Sequence, residues 1–362
     1  MKSLYVFTLV LLLATGSHAF PRWAVQEDSN CSTCHLYQGG GAARNSYGKD
    51  FVRESLVFKD MTLPWQNEES ESSFSFGLDT RYMAIQQEDK DLRSFPMQFA
   101  LYGGMEVGSF VAHAEVNRLQ EEFRVTGGLR YQGLPFEGYV SVQREMPALG
   151  WRVDDHTLYS RGGNLTPGNF SQEGMPFTPF LDPPTGLEMG AAPLMGLELS
   201  LWMGEGFLQS QQLNNSDLHQ GAKASYRYAG DLFIAQVGVA GLQEGEVTLS
   251  ALSGGLSVYG LVWLGELSTA ENWALDGSSN TAILQQLSYR VRPGVEVVGR
   301  YEFYDPNTDY LSGSLDRFGI GVDLYLIPGL EIKLSYRDAA VGLPQGQAEI
   351  TPQYLTQIHL YL

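Results

Sequence analysis

Cysteine is nearly absent: Cys31 and Cys34 are the only two in 362 residues. That excludes a scaffold of several disulfides, and because both fall in one short motif they have to be explained together. Long apolar runs are also missing beyond the N-terminus. After the first residues the chain is broken every few positions by Gly, Asp, Arg or Gln, so no later stretch reaches the ~20 apolar residues that a membrane-spanning helix needs. Positive charge is scarce, 23 Lys and Arg against 41 Asp and Glu, for a net charge of −18. A chain without Lys and Arg clusters does not bind nucleic acid through its phosphates; an acidic surface favours cations. No Ser-His-Asp, zinc-ligand or paired-carboxylate pattern points to a hydrolytic or metal-dependent enzyme.

What is present starts with an export signal. Lys2 forms a short positive start, Leu4 to Ala14 an apolar run, and Ser17-His18-Ala19 a small-residue cleavage pattern. Residues 1–19 are therefore expected to be a signal peptide. The remainder divides into 20–72, which carries both cysteines, a Gly run and the acidic linker around Glu68-Glu69-Ser70-Glu71, and 73–362, a succession of strands.

The strand signal is alternation. Phe74, Phe76, Leu78, Thr80 and Tyr82 share one face and Ser75, Gly77, Asp79 and Arg81 the other; Val295, Val297, Tyr301 and Phe303 oppose Glu296, Arg300 and Glu302; Leu330, Ile332, Leu334 and Tyr336 oppose Glu331, Lys333, Ser335 and Arg337. Successive side chains of a strand point to opposite faces, so one face here is apolar and the other charged. Sixteen such strands are expected, starting near residues 74, 95, 109, 123, 135, 186, 196, 220, 231, 246, 257, 281, 294, 315, 329 and 353. The turns after the even-numbered strands are tight, among them Gly133-Leu134-Pro135, Pro293-Gly294 and Pro328-Gly329, whereas most of the others are long, including 146–185, 204–219 and 305–314. Short turns at one end, long loops at the other and an even strand count describe an outer-membrane β-barrel with both termini in the periplasm; a soluble sandwich has no reason to put its long loops on one end. The loop at 146–185 is long enough to be functional and is expected to fold inward and narrow the lumen.

Cys31-Ser32-Thr33-Cys34-His35 is the attachment pattern of a c-type haem: two thiols that add to the vinyl groups and an adjacent imidazole as proximal iron ligand. The alternative is a Cys31–Cys34 disulfide in an N-terminal plug of a transport porin. A segment this short cannot bury a haem by itself, and a sixteen-stranded barrel left empty is a water-filled channel, so the segment is expected in, or at the mouth of, the lumen.

These features together resemble the fused cytochrome–porin family of outer-membrane iron oxidases and related electron conduits. The matching residues are Phe20-Pro21, Cys31 to His35, Gly39 to Gly41, Tyr47-Gly48 and, more weakly, Gly150 to Thr157. Gln38 and Ser46 depart from the family's prolines. The resemblance implies one covalent haem c held by Cys31, Cys34 and His35. It also implies single-electron exchange between an extracellular donor such as Fe(II) and a periplasmic cytochrome or other carrier. For the second axial position the candidates are His156, then His113 and Met61; His359 is expected on the lumenal face and His219 outside the barrel.

Overall fold

The computed structural model describes the chain from Pro21 to Tyr361 except residues 30–32, 38–43, 52–54, 59–73, 88–89, 120–121, 152–156, 164–173, 178–180, 209–212, 214–216, 274–276, 311–312 and 343–347. The expected signal peptide and the acidic linker lie outside the described residues.

The strands run β1 (Phe74–Gln87), β2 (Arg93–Val107), β3 (Phe110–Leu119), β4 (Glu122–Leu134), β5 (Gly138–Arg144), β6 (Thr185–Leu194), β7 (Leu197–Glu205) and β8 (Leu218–Ala229). They continue as β9 (Ile234–Glu244), β10 (Val247–Val258), β11 (Leu261–Glu271), β12 (Ser279–Arg292), β13 (Val295–Asp305), β14 (Leu315–Ile327), β15 (Leu330–Gly342) and β16 (Ala348–Tyr361). Each pairs antiparallel with its sequence neighbours, and β1 closes on β16, with Asp79 opposite Tyr361 and Arg81 opposite His359. Closure leaves no edge strand, so every strand can satisfy its backbone against a neighbour; that is the condition for crossing hydrocarbon with strands. No described helix is long and apolar enough to cross a membrane.

The side chains are arranged inside out relative to a soluble protein. On β1, Phe76 is 73% exposed while Asp79 is wholly buried. On β10, Leu252 and Leu256 face outward while Ser253 and Ser257 are buried; on β15, Leu334 is exposed while Glu331 and Arg337 are buried. Soluble proteins rarely bury Glu and Arg while exposing Leu and Phe in bands. Here the band is the lipid-facing belt and the charged face lines the lumen. The chain is a transmembrane barrel of the outer-membrane type, as its alternation implies.

Tight connections such as 108–109, 195–196, 259–260, 293–294 and 328–329 gather at one end. The other end holds the longer loops 145–184, 206–217 and 306–314, together with two short ones, 120–121 and 245–246. The described residues of the loop at 145–184 do fold inward. Its Met146, Leu149, Met175, Phe177 and Leu181 are buried against wall residues Trp202, Leu242, Leu249 and Tyr304, and Arg161 pairs with Glu266 of β11 at 2.7 Å.

Candidate functional site

The lumen is filled by the chain's own N-terminal segment. Helix α1 (Pro21–Gln26) begins with Pro at its first position, where a missing N–H costs nothing. It lies against β9, β10 and β11. Val25 is buried with Val262, Leu264 and Trp151, the last from the inward loop. Trp23 packs with Phe51, Leu56, Tyr325 and Tyr361, and its Nε1 donates to Glu296 at 3.1 Å. Arg22 meets Asp323 at 2.7 Å and Glu296 at 3.1 Å, and its guanidinium donates to the Tyr325 hydroxyl. Just after α1, burial pushes the Glu27 carboxyl above the usual range, with Arg290 opposing that shift.

The described part of the cysteine motif follows. Cys34 is buried. His35 is buried and pairs backbone to backbone with Arg44. Leu36 is buried with Ala100, Tyr102 and Val111 of the β2–β3 wall. Helix α2 (Ser46–Phe51) is started by Asn45, whose side chain accepts from the Gly48 N–H at 2.9 Å and donates to the Thr33 carbonyl at 2.9 Å. That is an N-cap which also fastens the helix to the motif. Gly48 sits so close to Cys34 that a Cβ there would fall 2.3 Å from the Cys34 carbonyl oxygen. The segment then leaves at the tight-turn end. Leu56 accepts from the Gly294 N–H and Phe58 donates to the Tyr325 carbonyl, both at 2.7 Å, so residues 56–58 clasp the β12–β13 turn.

A second charged cluster fixes Arg44. It approaches Asp79 at 3.7 Å and lies over the Tyr361 ring. Asp79 meets His359 at 3.1 Å and Arg81 at 3.3 Å, and His359 meets Glu331 at 2.8 Å. His359 is thus on the lumenal face as expected, enclosed by two carboxylates.

Of the residues singled out from sequence, Cys31, His156 and Met61 lie outside the described residues. Cys34 and His35 are brought into the lumen. His113 also faces inward. Its Nε2 meets Glu145 at 3.0 Å, and its ring stacks on Tyr37, two residues beyond His35, at 6.0 Å between centroids. His219 corrects the expectation that it sits outside the barrel. It is 3% exposed, with Nδ1 against the Glu205 carbonyl and its ring edge-on to Phe207. Phe207, just beyond β7, covers it, which alternation cannot reveal. Among the described residues no group of three or more His, Cys, Asp or Glu is arranged to hold a metal ion. The described donor residues, a buried Cys34 next to a buried His35, are the residue types that a c-type haem uses.

Sequence reasoning missed the anchors of the segment, Arg22, Trp23 and Arg44. The available signal was their charge or size in a stretch expected to enter a lumen lined by Asp79, Glu296 and Asp323.

No family model and no curated protein matches the sequence. Solved structures do match the fold. OprB of Pseudomonas putida superposes with a TM-score of 0.60 at 9% identity, over 80% of this chain and 94% of that one. An anion-selective porin from Comamonas acidovorans gives 0.56 at 13% identity, over 81% and 100%. OmpT of Vibrio cholerae gives 0.54 at 12% identity, over 82% and 99%. The class that fold and site define is a porin-type outer-membrane barrel of Gram-negative bacteria. Its lumen is filled by its own N-terminal segment and an inward loop.

Proposed function

We propose that this barrel is an outer-membrane cytochrome–porin. One haem c would be bound covalently through Cys31 and Cys34, with His35 as proximal ligand. The chain would pass single electrons from an extracellular donor, Fe(II) being the simplest, to a periplasmic cytochrome or similar carrier. The carrying observation is that the segment bearing the chain's only two cysteines is built into the lumen by Arg22, Trp23, Arg44 and Leu36. A haem there supplies a one-electron carrier within the ~25 Å apolar band, where a cofactor resting on either surface would leave most of the thickness uncrossed. The chain's residues do the rest: they hold the segment, exclude water and place the imidazole of His35. The termini and the tight turns would face the periplasm, so that the segment enters from that side.

The test is expression with the haem-attachment machinery. The reading requires a Soret band and haem staining that survives denaturing electrophoresis, both lost in Cys31→Ala/Cys34→Ala. A folded barrel of apoprotein mass with no Soret band ends it. Epitope tags at residues 276 and 309 should be reachable on intact cells and a tag near Pro293 unreachable; the reverse inverts the topology.

The second reading is a transport porin with an N-terminal plug. The likeness of its barrel to porins favours it. A large conductance in planar bilayers from haem-free, fully folded protein would select it.

A further inference from the structure

The rim at the tight-turn end is divided into two halves. Closure in sequence order makes the turns β4–β5, β6–β7, β8–β9 and β10–β11 consecutive around it. Each of them carries a large apolar side chain held out of the protein: Phe136 is 67% exposed, Met195 98%, Leu232 67% and Tyr259 83%. The turns of the other half, β12–β13, β14–β15 and β2–β3, are Pro293-Gly294, Pro328-Gly329 and Gly108-Ser109, with no large side chain at the tip.

The turns themselves do not require these residues. Phe136 and Tyr259 hold φ of +59° and +48°, a left-handed backbone that costs a bulky residue energy and that Gly or Asn adopts readily. Nor do the tips stand apart from the barrel's outer surface. Leu134, Leu194, Tyr228 and Leu261 at the adjoining strand ends are exposed as well, so the tips extend the lipid-facing belt.

The height of the wall supplies the reason. Under these turns β5 has 7 residues and β7 has 9, whereas β1, β12 and β16 have 14 and β2 has 15. A tilted strand needs about 9–11 residues to cross the hydrocarbon. β5 falls short of that length and β7 only just reaches it, so on this side the apolar band extends past the strand ends and the turns must cover it.

We propose that the four turn tips are a lipid-binding surface. On this half of its circumference the barrel is sunk to the rim in the phospholipid leaflet at the tight-turn end, while the half from β12 through β16 to β3 stands clear in water. Removal of the tips' apolar area from water drives the insertion, and Tyr259 adds an aromatic ring with a polar end, suited to headgroup level. Glu137 and Asp231, exposed beside Phe136 and Leu232, set the depth: the tips reach the boundary between headgroups and acyl chains and go no further. The half left in water is the one where residues 56–58 clasp the β12–β13 turn, so the N-terminal segment leaves the lumen away from lipid.

The test reads the native Met195. Full-length barrel, isotopically labelled in its methionine methyl groups, is placed in nanodiscs of phosphatidylethanolamine and phosphatidylglycerol, and the Met195 signal is assigned with Met195→Leu. Two relaxation agents are compared by NMR: a phospholipid with a nitroxide on its acyl chain near the carbonyl, and a water-soluble gadolinium chelate. Met195 should lose more intensity to the nitroxide than to the chelate, as should Met189, exposed on the lipid-facing side of β6. The probe introduced by Ser109→Met on the opposite rim should show the reverse, with heat-modifiable migration checking that each variant is folded. Equal or greater loss of the Met195 signal to the chelate overturns the proposal. So does a Met195 spared by both agents, the outcome expected if a second copy of the chain covers the tips. A Ser109→Met probe reached chiefly by the nitroxide overturns the division of the rim. None of these outcomes depends on whether the chain carries haem.

Discussion

Arg22, at the start of the N-terminal segment, meets Asp323 of β14 at 2.7 Å inside the barrel, with both side chains almost fully buried. This pair joins residues 301 positions apart and, with Glu296, ties the plug to the wall. Removing one member of a buried pair strands the other's charge, at a cost of about 3–5 kcal/mol. Arg22→Ala should therefore loosen the segment. Planar-bilayer recordings should show low conductance for the parent protein and larger or more frequent openings for the variant; identical traces would mean that the segment does not close the channel.

The inward loop hangs on an analogous contact. Arg161 reaches both carboxylate oxygens of Glu266, and the backbone N–H of Trp151 donates to the same carboxylate at 2.6 Å. Arg161→Met should leave Glu266 buried without its cation and release residues 145–184. Protease added from the long-loop side should cut that loop faster, with the barrel's own heat-modifiable migration little changed.

Gly150 is required twice at one position. Its φ of +64° is costly for other residues, and a Cβ would lie 2.6 Å from the Glu266 carboxylate. Gly150→Val should reproduce the loop release of Arg161→Met. If the two act through the same contact, the double variant should fall well short of the sum of the single effects.

Gly48→Ala addresses the cysteine motif without touching a donor. Its Cβ would push on the Cys34 carbonyl, and overpacking of this kind costs about 1–3 kcal/mol. Under the cytochrome reading, haem stain per folded barrel should drop. Normal loading would show that α2 can shift away from Cys34 without consequence.

Glu27 offers a pH-dependent readout. Burial raises its folded-state pKa above the unfolded value. Its contribution to holding the segment is therefore fully present below the unfolded pKa and fades as pH rises through the folded one. Protection of residues 21–58 from protease added at the tight-turn end should be greater on the acid side of that range. Glu27→Gln, permanently neutral, should keep the protection on the alkaline side.

Much of this architecture can be read from residue order. All sixteen strands start within five residues of where alternation and turn chemistry put them, the largest error being β16, which starts at Ala348 rather than near residue 353. Side-chain period, Gly and Pro turns and alternating loop lengths are local properties, and local properties survive in a sequence. The inward course of 145–184 was legible too, since a long Gly- and aromatic-rich loop above a wide lumen has an apolar surface to bury. The fate of His219 was not, because it depends on Phe207, from beyond the neighbouring strand, packing over it.

The sequence by itself determined the strands, the face of each that meets lipid, the end that carries the long loops and the Cys31–His35 motif. Only the tertiary structure decided which residues hold the segment in the lumen. Arg22 finds Glu296 and Asp323, Arg44 finds Asp79, and His359 meets both Glu331 and, 280 positions away, Asp79. Such contacts depend on which strands barrel closure makes neighbours and on which wall the N-terminal segment meets. That is a consequence of strand number and register, and no local period encodes it.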